Sequence, residues 1–216
     1  MELKEISHHL YIGRFNILEA KRYVSRLLSG DLNDIKYPVT IVNPTNFYLR
    51  GLMGLDKYIR NNCNHPMKML NAVKRKRTET NDPFHHHLEL AQCKIVDADS
   101  KNDGYDGVIF TVPPLYDNGR LRSANPLSTP LNGPEFETAL ADTYINAIEK
   151  ANENGVKVLA IPALSAGLFH CPADISARIA INTCSETVRY LDLKIVLVVY
   201  DDKVAEAYEK YIACLL

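Results

Sequence analysis

Five short apolar runs constrain this chain more than any other feature: residues 38–43 PVTIVN, 93–98 CKIVDA, 107–114 GVIFTVPP, 156–164 VKVLAIPAL and 194–200 KIVLVVY. They are rich in Val and Ile and lack the apolar–polar alternation of a half-exposed strand. Such runs predict strands covered on both faces. Between them lie stretches with apolar residues at helical spacing, over 17–28, 55–62, 134–155, 172–191 and 203–216. Strands alternating with helices predict an α/β fold, a sheet flanked by helices on both sides. A chain of 216 residues suits one large domain spanning 1–216, long enough to bury a full core. Two segments break the alternation. Residues 63–92 are polar, with Lys74–Arg77 and His85–His87 inside them, and residues 115–134 are rich in Pro, Gly and Asn. Both read as long surface loops, of the kind that carry function or stay disordered.

Bulk properties narrow the partners. A net charge of -1 and a pI near 6.7 give no electrostatic footprint for a nucleic-acid backbone or an anionic membrane. The run Lys74–Arg77 is a solvated loop first and a localisation or nucleic-acid patch second. No stretch reaches the roughly 20 apolar residues of a membrane span, and MELKEISHHLYIGRF has no apolar run of signal-peptide length. Cys63, Cys93, Cys171, Cys184 and Cys214 are odd in number and widely spaced. Free thiols in the cytosol or nucleus are the expectation. Cys63, His65, the three histidines and Cys93 match no standard zinc spacing, so no metal and no cofactor is expected, and the chain is expected to be a monomer.

The stretch IPALSAGLFHCPADISARIA, 161–180, admits two chemistries. A His-Cys-x5-Arg phosphatase loop needs an arginine six places after its cysteine. Here Ala177 holds that place and Arg178 is one further on, about 100° around a helix. Asp174 would repel a phosphate dianion, and Pro172 suits a helix start directly after Cys171. Cys171 therefore reads as a small apolar residue whose thiol has, at most, the mild reactivity of a helix N-terminus. The loop just before it, Ser165-Ala166-Gly167-Leu168-Phe169, follows an apolar strand and precedes a helix. Small residues there leave successive backbone N–H groups open to a diphosphate.

Other strand ends carry matching parts. Gly30-Asp31-Leu32 precedes the first of the apolar runs. That run leads into Asn43-Pro44-Thr45-Asn46, then Gly51-Leu52-Met53-Gly54-Leu55-Asp56, and the run at 194–200 ends on Tyr200-Asp201. A nucleoside-diphosphate sugar needs such a set: a carboxylate for an amino group, a π-face for a base, N–H groups for phosphates and amides for hydroxyls. In this order the motifs, together with FTVPP at 110–114, resemble the macro domain family, the ADP-ribose-binding module, over most of residues 25–215.

The resemblance implies a three-layer α/β/α sandwich with a mixed central sheet, and ADP-ribose or an ADP-ribosylated protein as partner. It implies that Asp31 accepts from the adenine amino group with the Leu32 N–H beside the same ring. Tyr200 and Asp201 would flank the adenosine, and residues 165–169 would hold the diphosphate. Asn43, Asn46, Gly51, Gly54 and Leu55 would surround the distal ribose. In the MacroD-type hydrolase branch, an Asp ten residues after the second Asn positions the attacking water, and Asp56 stands ten residues after Asn46. Leu52 and Met53 stand where those hydrolases carry glycines, and two side chains there narrow the distal pocket. The resemblance thus leaves three classes open: a mono-ADP-ribosyl hydrolase using Asn46 and Asp56, which their spacing favours; a non-catalytic reader of ADP-ribose or a related nucleotide; and a scaffold that keeps the fold without the ligand. Each residue also has a plain structural alternative: Asp31 in a turn, Asn43 and Asn46 bonding their own backbone, Tyr200 as a strand-end core aromatic, Asp56 favoured at a helix N-terminus.

Overall fold

A computed structural model describes residues 3–29, 38–51, 53–75, 85–119 and 127–215. Its strands are β1 (Lys4–Ser7), β2 (Leu10–Gly13), β3 (Val39–Pro44), β4 (Cys93–Asp97), β5 (Gly107–Thr111), β6 (Leu115–Tyr116), β7 (Pro130–Leu131), β8 (Val158–Pro162) and β9 (Lys194–Val198). Its helices are α1 (Ala20–Ser29), α2 (Gly54–Asn61), α3 (Pro66–Val73), α4 (Gly133–Glu153), α5 (Ala173–Val188) and α6 (Asp202–Leu215). Seven strands form one mixed sheet in the order β1-β2-β9-β8-β3-β5-β4. The central ladders β2–β9, β9–β8, β8–β3 and β3–β5 are parallel, and the two edge pairs are antiparallel.

Period-two alternation along the buried strands divides the core into two. Leu159, Ile161, Ile195 and Leu197 pack with Leu140, Tyr144, Ile181 and Ile212 of α4, α5 and α6. Val158, Ala160, Val196 and Val198 pack on the other side with Val24, Ile59, Leu70 and Val73 of α1, α2 and α3. Successive residues of a strand face opposite sides, so two helical layers around this sheet require the near-continuous apolar runs seen in the sequence. The expected three-layer α/β/α architecture is the one observed. All five cysteines are free thiols. Among the described residues no helix is long and apolar enough to cross a membrane.

The strand order places the crevice. From β3 the chain crosses to β5 on one side, whereas from β8 it crosses to β9 on the other. The loops leaving β3 and β8 therefore diverge at a topological switch point, outside the carboxyl ends of the strands, where ligands of open α/β sheets bind.

Three elements depart from the sequence reading. The N-terminal hairpin β1–β2 was not anticipated. Its strands are four residues each and β1 is largely polar, and β2 is a strand through its pairing with β1 on one side and β9 on the other. Residues 63–92 are not one surface loop: they contain α3, and Met69, Leu70, Val73 and Leu88 are core residues. The segment 115–134 includes β6 and β7, which pair with each other in parallel. If residues 85–90 belong to the core, Leu88→Ala costs about 2–5 kcal/mol by chemical denaturation. A change within about 0.5 kcal/mol, the surface value, would return the segment to the loop class.

Candidate functional site

Loops from four parallel strands meet at the carboxyl edge of the sheet. The loop after β3 carries Thr45–Met53, with Leu52 outside the described residues. Its start is tied to β5 by Thr45 N–H donating to Thr111 O at 2.8 Å. The loop after β8 carries Ser165–Phe169 and is tied to the segment after β5. Ser165 Oγ donates to Pro114 O at 2.7 Å, and Tyr116 N–H to Phe169 O at 2.9 Å. The β3 and β8 loops touch: a Cβ on Gly54 would stand 2.7 Å from Leu168 Cδ1. Gly54 also has φ +65°, so a side chain there would meet both strain and a clash.

Asp56 lies in the first turn of α2, where the helix dipole favours an acid, and it is buried. Its Oδ1 accepts from Asn43 Nδ2 at 2.9 Å and Arg60 Nε at 2.7 Å. Its Oδ2 accepts from Thr45 Oγ1 at 2.7 Å and Arg60 Nη2 at 2.7 Å. A carboxylate offers about four lone-pair sites, and all four are taken. The pair is dry, with Arg60 and Asp56 side chains 11% and 6% exposed. Arg60 also fixes the loop above it, because a Cβ on Gly51 would lie 2.2 Å from Arg60 Nε. Gly51 is thus the point where the guanidinium passes against backbone.

Asn46 turns inward on its own loop. Its Oδ1 accepts from Tyr48 N–H at 3.2 Å and Arg50 N–H at 3.0 Å. Its Nδ2 donates to Arg50 O at 3.0 Å, which leaves one amide hydrogen without a partner among the described residues. Asn43 is fully buried, and its Oδ1 has no partner among the described residues. The histidine run braces this loop from outside. The His86 ring stacks on Phe47 with centroids 4.5 Å apart and its Nε2 is 3.2 Å from Tyr48 Oη. Met53 and Leu168 are both exposed at the rim.

The β8 loop has the form of an anion cradle. Ser165 and His170 have φ of 61° and 60°, and Ser165 O accepts from Cys171 N–H at 2.9 Å. Between them, among the described residues, the N–H groups of Gly167, Leu168 and Phe169 have no hydrogen-bond partner, while Ala166 N–H makes a long bond to Ala163 O at 3.4 Å. Tyr200 is 76% exposed at the end of β9, and so is a surface ring, not a core aromatic. Asp201 caps α6, its Oδ1 accepting from Lys203 and Val204 N–H groups at 3.0 and 3.2 Å. Asp31 and Leu32 lie outside the described residues, as do Lys76 and Arg77 of the basic run. Among the described residues no three His, Cys, Asp or Glu side chains come together as a metal site.

Two residues were missed in the sequence. Arg60 carried a legible signal, the i,i+4 spacing from Asp56 along a helix. Thr45 carried none, since its partner is eleven residues away. The mild reactivity allowed for Cys171 is overturned. Burial, reinforced by Asp174, pushes its thiol up to about 12, and Arg178 is engaged with Glu137 at 2.6 Å.

With the geometry in place, comparison with known proteins gives the family. The Macro domain model matches residues 42–180. An O-acetyl-ADP-ribose deacetylase of Enterobacter sp. (strain 638) is 29% identical over 183 residues, 84% of this chain and 89% of that protein. An uncharacterized protein of Fusobacterium nucleatum is 32% identical over 204 residues, 87% of this chain and 94% of that one. A macrodomain of Oceanobacillus iheyensis solved with ADP superposes with a TM-score of 0.71 at 19% identity, covering 99% of this chain and 95% of that chain. The chain belongs to the macro domain family.

Two measurements check the site. Arg60→Ala leaves a buried carboxylate without its cation and costs about 3–5 kcal/mol by urea denaturation. A loss under about 1 kcal/mol, the exposed-pair value, would mean the clamp is not dry in solution. At pH 8 an alkylating reagent modifies the exposed Cys214 in the native protein and spares Cys171, which reacts only on unfolding. Native labelling of Cys171 at a rate comparable to Cys214 would contradict its burial.

Proposed function

We propose that this chain binds ADP-ribose across the switch point between β3 and β8, and that it acts first as a reader of the modification. The observation that carries binding is the Gly167–Phe169 run of three N–H groups without a partner among the described residues, a neutral cradle for a diphosphate at the mouth of the crevice. In this reading Tyr200 lies against the adenosine and Asp31 accepts from the adenine amino group. The free amide hydrogen of Asn46 donates to the distal ribose. The partner is then an ADP-ribosylated protein, met by a monomer in the cytosol or nucleus, where its five free thiols persist.

The reader class is favoured by Asp56. A residue that orients water needs a free lone pair within hydrogen-bond reach of that water. Here four donors occupy the carboxylate, and two belong to one guanidinium, the strongest planar partner a carboxylate has. Hydrolysis is the second reading. It is supported by relatives that are O-acetyl-ADP-ribose deacetylases at 26–29% identity over more than four-fifths of this chain, and by the ten-residue spacing of Asn46 and Asp56. In that reading Arg60 must release Asp56 before water can be held.

ADP-ribose is expected to raise the melting temperature, with about 2.7 kcal/mol of stabilisation at a hundredfold excess over Kd. Calorimetry then gives the affinity, and turnover is followed on a mono-ADP-ribosylated protein and on O-acetyl-ADP-ribose. Binding without turnover of either substrate supports the reader. Turnover lost in Asp56→Asn supports the hydrolase, and an unchanged melting curve at millimolar ADP-ribose refutes both.

A further inference from the structure

The cradle loop is held from beneath by groups that never reach the crevice. Strand β8 leaves its ladder at Pro162, so among the described residues Leu164, just before the loop, has no strand neighbour for its backbone. Side chains from two helices replace the ladder. Tyr144 of α4 accepts from the Leu164 N–H through its Oη at 3.0 Å. Ser176 of α5 donates from its Oγ to Leu164 O over a longer 3.4 Å. The same Oγ lies 3.3 Å from Tyr208 Oη of α6. All three hydroxyl-bearing residues are fully buried. Burial raises both phenols well above their ordinary value, so they remain hydroxyls at any working pH.

One residue further on, Ser165 takes the left-handed conformation. That conformation is strained for a non-glycine residue and persists only where the surroundings over-determine it. Three restraints do so: Leu164 pinned at both backbone groups, Ser165 Oγ on Pro114 O, and Ser165 O under Cys171 N–H. The open N–H groups begin two residues later. A rigid cradle binds more tightly than a mobile one because it loses less freedom on binding.

We propose that Tyr144, Ser176 and Tyr208 are positioning residues for diphosphate binding: through Leu164 they hold the Ser165–Phe169 loop in its anion-accepting form. This rests on the ADP-ribose reading of the crevice. A purely structural role predicts equal effects on every ligand, whereas positioning of this loop predicts an effect confined to ligands that carry the diphosphate.

The test compares ADP-ribose, by calorimetry, with adenosine, by NMR titration at millimolar concentration, on the full chain. Tyr144→Phe, which leaves the buried Leu164 N–H without its acceptor, should weaken ADP-ribose by about tenfold, equivalent to about 1.4 kcal/mol. Adenosine affinity should stay within about twofold of wild type. If Tyr144→Phe does not fold, Ser176→Ala and Tyr208→Phe remove the opposite end of the chain of hydroxyls and should show the same selectivity, more weakly. Wild type that binds ADP-ribose, with variants that weaken both ligands equally or neither, overturns the positioning role and leaves the site intact. Wild type that binds neither ligand overturns the reading of the crevice, and this inference with it.

Discussion

The carboxylate of Asp56 is the interaction on which the crevice depends. An ionised carboxylate carried into a dry interior is costly unless charge and hydrogen bonds compensate it. Here the compensation comes from three places in the chain: Asn43 on β3, Thr45 just beyond it, and Arg60 one helical turn along α2. Neutralising the charge therefore joins the end of β3 to the start of α2. Gly51 follows from the same interaction, because the guanidinium occupies the space of its missing side chain. Met53 is exposed at the rim, while Phe47 and Leu49 of the same loop pack into the core.

On the opposite side of the switch point the device differs. The β8 loop has no buried charge and is held by neutral hydroxyls, backbone bonds and a left-handed serine. One wall of the crevice is thus an electrostatic clamp and the other a neutral cradle, and they meet where Leu168 reaches Gly54. That division suits a ligand with an anionic centre. In the proposed reading a cradle of N–H groups would accept the diphosphate, while the carboxylate that would repel it is already paired with Arg60.

Much of the fold was legible because both faces of the central strands are covered, and the apolar runs needed for this are long. The hairpin β1–β2 was not legible, since four-residue strands with Lys4, Glu5 and Ser7 on the edge carry little pattern. Helix α3 was hidden by the polar sequence around it, although its buried face, Met69, Leu70 and Val73, has helical spacing. In the site, the motifs and their order could be read, and so could the local bonding of Asn46, whose partners lie within four residues. The saturation of Asp56 needed the fold, because Asn43 and Thr45 come from a different element. The support of Leu164 was beyond reach, with partners 20 and 12 residues away on separate helices.

The most direct measurement is a crystal structure of this chain with ADP-ribose bound. The account predicts that both Asp56 oxygens stay within hydrogen-bond distance of Arg60, Asn43 and Thr45, with the diphosphate on the N–H groups of Gly167, Leu168 and Phe169. An Arg60 side chain swung away, with an ordered water on Asp56 facing the distal ribose, would contradict it and make Asp56 a group in service of hydrolysis.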